Sequence, residues 1–441
     1  MLERFNASTL QRFNASTLQR FNASTLQRFN VTVIVINTGT ELLLGDVLNS
    51  HLAFIAREIF PLGLRVDRQL SVPDGPAIRT ALAESSGQAE IIFVTGGLGP
   101  TTDDVTREIT AEFLGLELCH DATIMAVIAA RAARRGFRLT DRTSRQAEVP
   151  RGATVLSNEH GSAPGLYFAA NAALAKKSPH LFLLPGPPRE LQPMFKSSVL
   201  PILREIVPQE PAVDRRTYRI AGLGESLVEE AIGERLHQIP GIELGYCARP
   251  GEVDLRIIGE RSALDQAEAI ITAGLGGTIF SSDGGSMEEV VVKLLAETKQ
   301  TLAVAESCTG GFLAHRITNV PGVSTVFLAG YITYANEAKE GMLGVDPRLI
   351  LAHGAVSENV ARAMAEGARQ QANATFALAT TGIAGPGGGT DEKPVGTVFV
   401  ALAADGATTQ VRKFRFPDDR PTFKELTTQA ALEMLRQSLL A

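Results

Sequence analysis

A carboxylate, a hydroxyl and a thiol follow one another in Glu306-Ser307-Cys308-Thr309-Gly310-Gly311, directly after the apolar run Thr301–Ala305. A nucleophile delivered where a buried strand gives way to a helix sits at the positive end of the helix dipole, where free backbone amides can hold an oxyanion. Two side chains compete for that role. Ser307 is either a hydroxyl awaiting a base or an ordinary helix N-cap; Cys308 is a thiol whose pKa a helix N-terminus can depress. The segment alone does not choose between them. Downstream, Tyr331-Ile332-Thr333-Tyr334-Ala335-Asn336-Glu337-Ala338-Lys339 places a phenol and an amine just past a second strand. A lysine serves as general base once burial or nearby cations lower its pKa, and is otherwise a solvated ammonium. A third strand, Thr375–Thr380, runs into Thr381-Gly382-Ile383-Ala384-Gly385-Pro386-Gly387-Gly388-Gly389-Thr390. That glycine density suits a backbone cradle for ribose and phosphate, although the Gly-Lys-Ser/Thr of a Walker A loop is missing.

A second constellation lies in the front half. Strand Ile91–Val94 ends in Thr95-Gly96-Gly97-Leu98-Gly99-Pro100-Thr101-Thr102-Asp103-Asp104. Glycines allow close approach of amides to an anion, and the adjacent carboxylates Asp103 and Asp104 can hold a divalent cation; the competing reading is an Asp-capped helix start. Gly39-Thr40-Glu41 with Asn49, the segment Asn158–Gly165, and Pro185-Gly186-Pro187-Pro188-Arg189-Glu190 follow other strands. In a parallel sheet such loops converge on one crevice at the carboxyl ends of the strands.

The elements that must position these groups are read from hydrophobic periodicity. Strands Val31–Ile36, Arg65–Leu70 and Ile91–Val94 alternate with helices Leu48–Phe60 and Pro76–Ser85, the signature of a mainly parallel α/β sheet. This first domain spans 31–207, where prolines punctuate a linker. An α+β module follows at 215–282, with strands Thr217–Ile220, Glu243–Ala248 and Val253–Ile258 and helices Leu227–Gln238 and Ser262–Leu275. A third, α/β domain at 286–441 has helices Met287–Thr298, from about Cys308, Ser357–Asn373 and Thr422–Leu440. Its strands are Thr301–Ala305, Ser324–Tyr331, Thr375–Thr380 and Gly396–Ala404.

Ahead of all this, the octamer Arg-Phe-Asn-Ala-Ser-Thr-Leu-Gln starts at Arg4, Arg12 and Arg20. Eight residues do not make whole helical turns. Residues 1–30 read as a translated tandem repeat, expected to be disordered and dispensable, with Val31 a plausible initiator.

Composition excludes several classes. The 441 residues carry a net charge of −6, against a whole-molecule attraction to nucleic acid or anionic lipid. Three cysteines, widely spaced, exclude a disulfide framework and a Cys-rich zinc site and fit a reducing cytoplasm. No run reaches the length of a membrane span.

The segments around Ser307, Tyr334-x-Asn336-x-x-Lys339, Gly354-Ala355-Val356-Ser357 and the tract from Thr381 closely resemble the C-terminal domain of the CinA family, also found alone as PncC-type nicotinamide mononucleotide (NMN) deamidases. The front motifs, Gly-Gly-Leu-Gly-Pro-Thr-x-Asp-Asp and Pro-Gly-Pro-Pro-x-Glu, resemble the same family's molybdopterin-binding-like domain, and the middle module resembles its KH-type domain. The resemblance covers nearly everything from Val31 onward. It implies Ser307 as nucleophile, Lys339 and Tyr334 as acid/base partners, and a substrate surface of Thr309, Gly310, Gly311, Asn336, Thr381, Gly382, Ala384, Gly385 and Arg420, with no cofactor for the deamidase. The family's closing Gly-Asp-Arg appears as Asp418-Asp419-Arg420. For the front domain it implies a metal-dependent ADP-ribose pyrophosphatase with Asp103 and Asp104 as metal ligands. Glu41, Asn49, Gly96, Gly97, Gly99, Asn158, Gly186 and Glu190 would line its site. It also implies a homodimer in the cytoplasm.

The rival readings are a molybdopterin-handling front domain with a degenerate amidase, and a nucleic-acid-associated competence protein. Against the latter, the Gly-x-x-Gly that clamps phosphates in KH domains is replaced by Gly222-Leu223-Gly224-Glu225. The cluster Arg215, Arg216 and Arg219 is offset by Glu229, Glu230 and Glu234. A spacer or dimerisation role is expected instead.

Overall fold

The computed structural model describes residues 31–136, 138–171, 178–207 and 214–441; the octamer repeat, with the disorder expected of it, and the proline-bearing stretch 208–213 lie outside them. The chain forms two compact units, one ending at Val213 and the other running from Asp214 to Ala441. Among the described residues no helix is long and apolar enough to cross a membrane.

In the first unit, strands β1 (Val33–Thr38), β2 (Val66–Val72), β3 (Ile91–Thr95), β6 (Thr154–Leu156), β7 (Gly165–Phe168) and β8 (His180–Leu184) form one sheet in the order β2-β1-β3-β8-β7-β6. Strands β2, β1, β3 and β8 are parallel, β7 runs antiparallel to β8, and β6 antiparallel to β7. Two short strands, β4 (Leu118–His120) and β5 (Glu148–Pro150), pair separately. Because side chains alternate along a strand, Val33, Val35 and Phe93 pack on one face with Phe54 and Phe195. Ile34, Ile36, Ile92 and Val94 pack on the other with Ile78 and Leu82. Both faces are therefore dry, as a parallel sheet requires. The carboxyl ends of β1, β3 and β8 open into the loops that carry the front motifs.

The second unit holds two sheets. Strands β9 (Asp214–Ala221), β10 (Glu243–Arg249), β11 (Glu252–Gly259) and β12 (Ile279–Ser281) form an antiparallel sheet in the order β10-β11-β9-β12. Helices Glu225–His237 and Arg261–Leu275 pack against it through Val228, Ile232, Leu264 and Ile271. The other sheet comprises β13 (Leu302–Glu306), β14 (Phe327–Ile332), β15 (Phe376–Gly382), β16 (Thr397–Ala404) and β17 (Gln410–Arg415), ordered β14-β13-β15-β16-β17. Here β14, β13 and β15 are parallel, β16 runs antiparallel to β15, and β17 antiparallel to β16. Its two faces differ in residue size. Leu302, Val304, Leu378 and Val400 meet helices Met287–Thr298 and Arg420–Leu440. Ala303, Ala305, Ala377 and Ala379 lie under helix Glu358–Ala372. Gln429 of the closing helix donates to Glu252 (2.9 Å) and Arg436 to the Gly277 carbonyl (2.9 Å), tying the small antiparallel module to this sheet.

Several boundaries differ from expectation. The strand expected at Ser324–Tyr331 starts at Phe327 after a 3-10 turn at Val323–Thr325, and the helix expected at Leu48–Phe60 starts at His51. One further difference shapes the site. The helix expected from about Cys308 starts at Phe312, with Gly311 as its N-cap. Gly310 and Gly311 sit at φ 59° and 92°, which delays the helix and leaves Ser307–Gly311 as a tight turn. The helices Asn336–Leu343 and Pro347–His353 and the edge strand β17 had no counterpart in the periodicity.

Candidate functional site

The Ser307 turn hangs on the ends of three parallel strands. Ser307 N–H donates to the Thr380 carbonyl (3.0 Å) and Thr333 N–H to the Glu306 carbonyl (2.8 Å), extending the β15-β13-β14 ladder by one residue on each side. Helix Asn336–Leu343 then carries Lys339 back toward the turn. Its ammonium nitrogen lies 3.2 Å from Ser307 Oγ, 2.8 Å from the Thr333 carbonyl and 3.1 Å from the Tyr334 carbonyl. Lys339 is 1% exposed, and burial, opposed by Cys308 and Glu337, holds its amine below the ordinary lysine range. Three oxygens surround the amine; in its neutral form two N–H groups can serve the two carbonyls while the lone pair turns to the Ser307 hydroxyl.

Cys308 is buried in the core against the large-residue face of the sheet. Burial pushes its thiol up to about 12, so it is a poor source of thiolate at neutral pH. Ser307 does not cap the helix either. Glu306, 1% exposed, does so from the strand: its carboxylate accepts from Gly311 (2.9 Å), Leu313 (3.0 Å) and Ala314 (2.8 Å) amides. This alters the expected oxyanion donors. The Gly310 amide is engaged with the Ser307 carbonyl and that of Gly311 with Glu306; the amides of Cys308 and Thr309 donate to no other described residue. Glu306 was missed because a buried strand-end carboxylate reads from sequence as part of the nucleophile motif, not as a cap.

Other expected residues are brought to the same end of the sheet with varied roles. Thr309 Oγ1 bonds Thr380 Oγ1 (2.7 Å). Thr381 Oγ1 donates to the Ala355 carbonyl (2.8 Å), which docks the Gly354–Ser357 turn and leaves only lone pairs of that hydroxyl for a ligand. Gly382 ends β15, Ala384 is buried, and Arg420 donates to the Gly385 carbonyl (3.2 Å). Tyr334 joins through its backbone; its ring is 61% exposed and its phenol bonds no described residue. Asn336 is exposed on the first turn of its helix.

In the first unit, the loops after β1, β3 and β8 enclose a cavity of about 530 Å³. Glu41, Asn49, Gly96, Gly97, Gly99, Asp103, Asp104, Gly186 and Glu190 all line it. Asn158 does not, but its amide donates to Glu190 (2.9 Å) and holds it in place. Gly96 (φ 102°) admits no side chain, since a Cβ would lie 2.6 Å from the Thr38 carbonyl. The helix after the motif begins at Thr106 without a side-chain cap, so the acidic pair is no capping device; Asp104 instead accepts from the Thr101 amide (2.9 Å). Sequence reasoning missed Asp74 and His51, which also line the cavity. Burial, then crowding by Glu41, Asp103 and Asp104, pushes the Asp74 carboxyl up, while the Thr40 amide opposes this. Burial lowers His51, favouring neutral imidazole. Among the described residues no three His, Cys, Asp or Glu side chains are grouped as a metal site.

In the middle module Arg216 pairs with Asp265 and Glu268, and Arg219 with Glu252 and Asp254 (both 3.5 Å), so these two guanidiniums are already engaged.

Three family models match in series: "Probable molybdopterin binding domain" at residues 34–205, "Damage-inducible protein CinA KH domain" at 215–275, and "CinA C-terminal domain" at 285–439. A CinA-like protein of Akkermansia muciniphila is 46% identical over 402 residues, 91% of this chain and 96% of that protein. Among solved structures, the competence/damage inducible protein CihA of Agrobacterium tumefaciens is 38% identical and covers 36% of this chain and 98% of its own, with a TM-score of 0.34. The protein CinA with unknown function from Thermoplasma acidophilum is 30% identical and covers 39% and 97%, with a TM-score of 0.35.

Proposed function

The chain belongs to the CinA family, and from that premise we propose that its second unit hydrolyses the carboxamide of nicotinamide mononucleotide to nicotinate mononucleotide and ammonia. The observation that carries this reading is the buried Lys339 amine 3.2 Å from the Ser307 hydroxyl. Neutral Lys339 takes the Ser307 proton as Oγ attacks the carboxamide carbon, and the tetrahedral oxyanion is met by the free turn amides. Lys339 then returns the proton to the departing nitrogen, ammonia leaves, and an ester remains on Ser307. Water, deprotonated by Lys339, releases the acid and restores the hydroxyl. Tyr334 and Asn336, exposed at the rim, are placed to meet the substrate rather than the base.

The acidic, glycine-lined cavity of the first unit favours a second hydrolytic reading, a metal-dependent ADP-ribose pyrophosphatase. Asp103 and Asp104 would hold the cation, which when bound neutralises phosphate charge; the loop amides around Gly96–Gly99 would orient the pyrophosphate. A homodimer belongs to the same proposal, since β14 is an edge strand with Leu328 and Ile332 exposed for a second copy to cover. Nucleic acid has no place in it.

The test is direct: purified protein is incubated with nicotinamide mononucleotide and ammonia release is followed. Ser307→Ala should cost at least ~100-fold in turnover, and acid quench of wild type should trap a nicotinyl ester on Ser307. Wild type that releases no ammonia, or Ser307→Ala at full rate, overturns the assignment.

A further inference from the structure

A cavity of about 580 Å³ lies where the small antiparallel module meets the closing helix. It has the size of a small-molecule site and shares no lining residue with the Ser307 turn or the glycine tract. Its floor is the middle of helix Arg420–Leu440, where Leu426, Ala430, Glu433 and Gln437 recur at three- and four-residue spacing and share one face. One wall is backbone, with Gly222, Gly251 and Gly277 supplied by three turns of the antiparallel module. Gly251 (φ 78°) has no room for a side chain, since a Cβ would lie 2.9 Å from Gln429 Cγ. The other wall is β17 and the residue after it. Side chains two apart on a strand share a face, so Arg412 looks the same way as Phe414, toward the large-residue side of the sheet. The rings of Phe414 and Phe416 lie nearly parallel (16°), with centroids 5.6 Å apart.

Charge decides what such a cavity takes. The carboxylate on its floor, Glu433, is neutralised by Arg436, which grips both oxygens (2.7 and 2.8 Å). Gln437 donates to Glu433 (2.8 Å) and accepts from Arg412 (3.2 Å). That neutral amide is the one partner of the Arg412 guanidinium among the described residues. Most of its five N–H donors therefore stand unused beside an aromatic wall, with no carboxylate to answer them.

We infer that this cavity binds a small aromatic carboxylate, its ring against Phe414 and Phe416 and its carboxylate in the planar fork of Arg412. Arg412 thereby separates an aromatic acid from its amide, which has the same outline and no charge. The turn at Gly222, where a nucleic-acid-binding KH domain would clamp phosphates, here forms part of the wall. The inference stands apart from the chemistry at Ser307, although the acid which the amidase reaction would release belongs to this class.

The experiment titrates the full chain calorimetrically with nicotinate and with nicotinamide, probes that share a ring and differ in the charged group. Wild type should bind nicotinate with a Kd of about 1 mM or tighter, and nicotinamide at least ~10-fold more weakly. Arg412→Met should bring nicotinate down to the nicotinamide level; the side chain is exposed, so the fold survives its loss. Ala430→Leu fills the cavity without changing charge and should abolish nicotinate binding. Nicotinate that binds Arg412→Met or Ala430→Leu as it binds wild type sits elsewhere and overturns the inference, as does a wild type that binds none. Inorganic phosphate that displaces nicotinate at equal concentration would make the cavity a general anion site, which also overturns it. No arm uses turnover, so failure of the amidase reading leaves this test intact.

Discussion

The base at Ser307 is a lysine, and its ionisation gives the sharpest expectation. An ordinary lysine with pKa ~10.4 is neutral in only about one molecule in 2,500 at pH 7, and each unit of depression raises that fraction tenfold. Lys339 has no carboxylate on its amine, two backbone carbonyls on its N–H groups and almost no solvent contact, so burial dominates and the amine is displaced downward. Turnover should therefore climb with pH along a limb of unit slope and level off at a pH below the ordinary lysine value. Measuring kcat rather than kcat/KM confines the profile to the bound complex. Lys339→Arg keeps the positive charge but cannot surrender it near neutrality. It should lose roughly 10²- to 10⁴-fold, the usual contribution of a positioned general base, or about 3–5 kcal/mol of barrier. The same shift has a stability consequence. The folded pKa lies below the unfolded one, so between the two values the unfolded chain binds the extra proton and stability rises with pH. Below the folded value the cost of the buried charge is fully felt. Urea unfolding against pH should show that rise in wild type and not in Lys339→Met. A kcat that is flat or falls as pH rises across neutrality, or Lys339→Arg at wild-type rate, refutes the neutral-lysine argument.

Other perturbations follow from single contacts. Cys308→Ala should retain activity within about threefold, since the thiol is buried and faces the core; stability should fall by only about 1 kcal/mol, read by urea unfolding, and a dead variant would move the nucleophile to sulfur. Glu306→Gln replaces an acceptor that serves three amides with a group that opposes at least one. It should cost about 3 kcal/mol in unfolding free energy and depress turnover by loosening the turn; unchanged stability would show that the cap is dispensable. Gly367→Ala would bring a Cβ within 2.0 Å of the Leu343 carbonyl, at the end of the helix that carries Lys339. Turnover should drop at least ~10-fold with KM little changed, and a wild-type kcat would mean that the helix position is not critical. Asp103→Asn with Asp104→Asn should abolish cation-dependent ADP-ribose cleavage and spare ammonia release from the mononucleotide; loss of both activities together would sink the two-site reading.

What could be read from sequence was what short-range physics dictates. The β1, β3, β13 and β15 runs are apolar on both faces, and β1, β3 and β15 run straight into glycine, so their positions follow from local pattern. Helix Met287–Thr298 begins where Ser286 and Glu289 form a reciprocal capping box, a local signal that fixes an end to the residue. The failures are equally physical. The helix after Ser307 starts late because its cap comes from Glu306, whose carboxylate turns back over the glycines, an arrangement no linear pattern announces. Strand β17 is an edge strand of mostly exposed charged residues, so it carries no hydrophobic alternation. Lys339 looks like any helical surface lysine in sequence; its burial comes from its helix folding back on the strand ends, where its amine meets Ser307, Thr333 and Tyr334. Asp74 and His51 escaped notice because Asp74 stands in the loop after β2 and His51 on the first turn of helix His51–Ile59, and only the sheet brings them to the acidic cavity.

The nucleophile–base distance depends more on the sheet than on any loop. Glu306 pairs with Ile332 on one side and with Thr380 on the other, and the next bonds outward, Ser307 N–H to Thr380 and Thr333 N–H to Glu306, continue those two ladders. The Lys339 amine is then pinned by the carbonyls of Thr333 and Tyr334, the two residues that immediately follow β14. Ser307 and Lys339 are thus each one short step from a register that a slip of a single residue would invert. The alanines at 303, 305, 377 and 379 let helix Glu358–Ala372 approach closely, and Gly367 lets the Lys339 helix nest against it. Small residues far from the reacting atoms therefore set the 3.2 Å contact. Enlarging them strains the base position before it touches any ligand, so catalytic loss there should appear in kcat and not in KM.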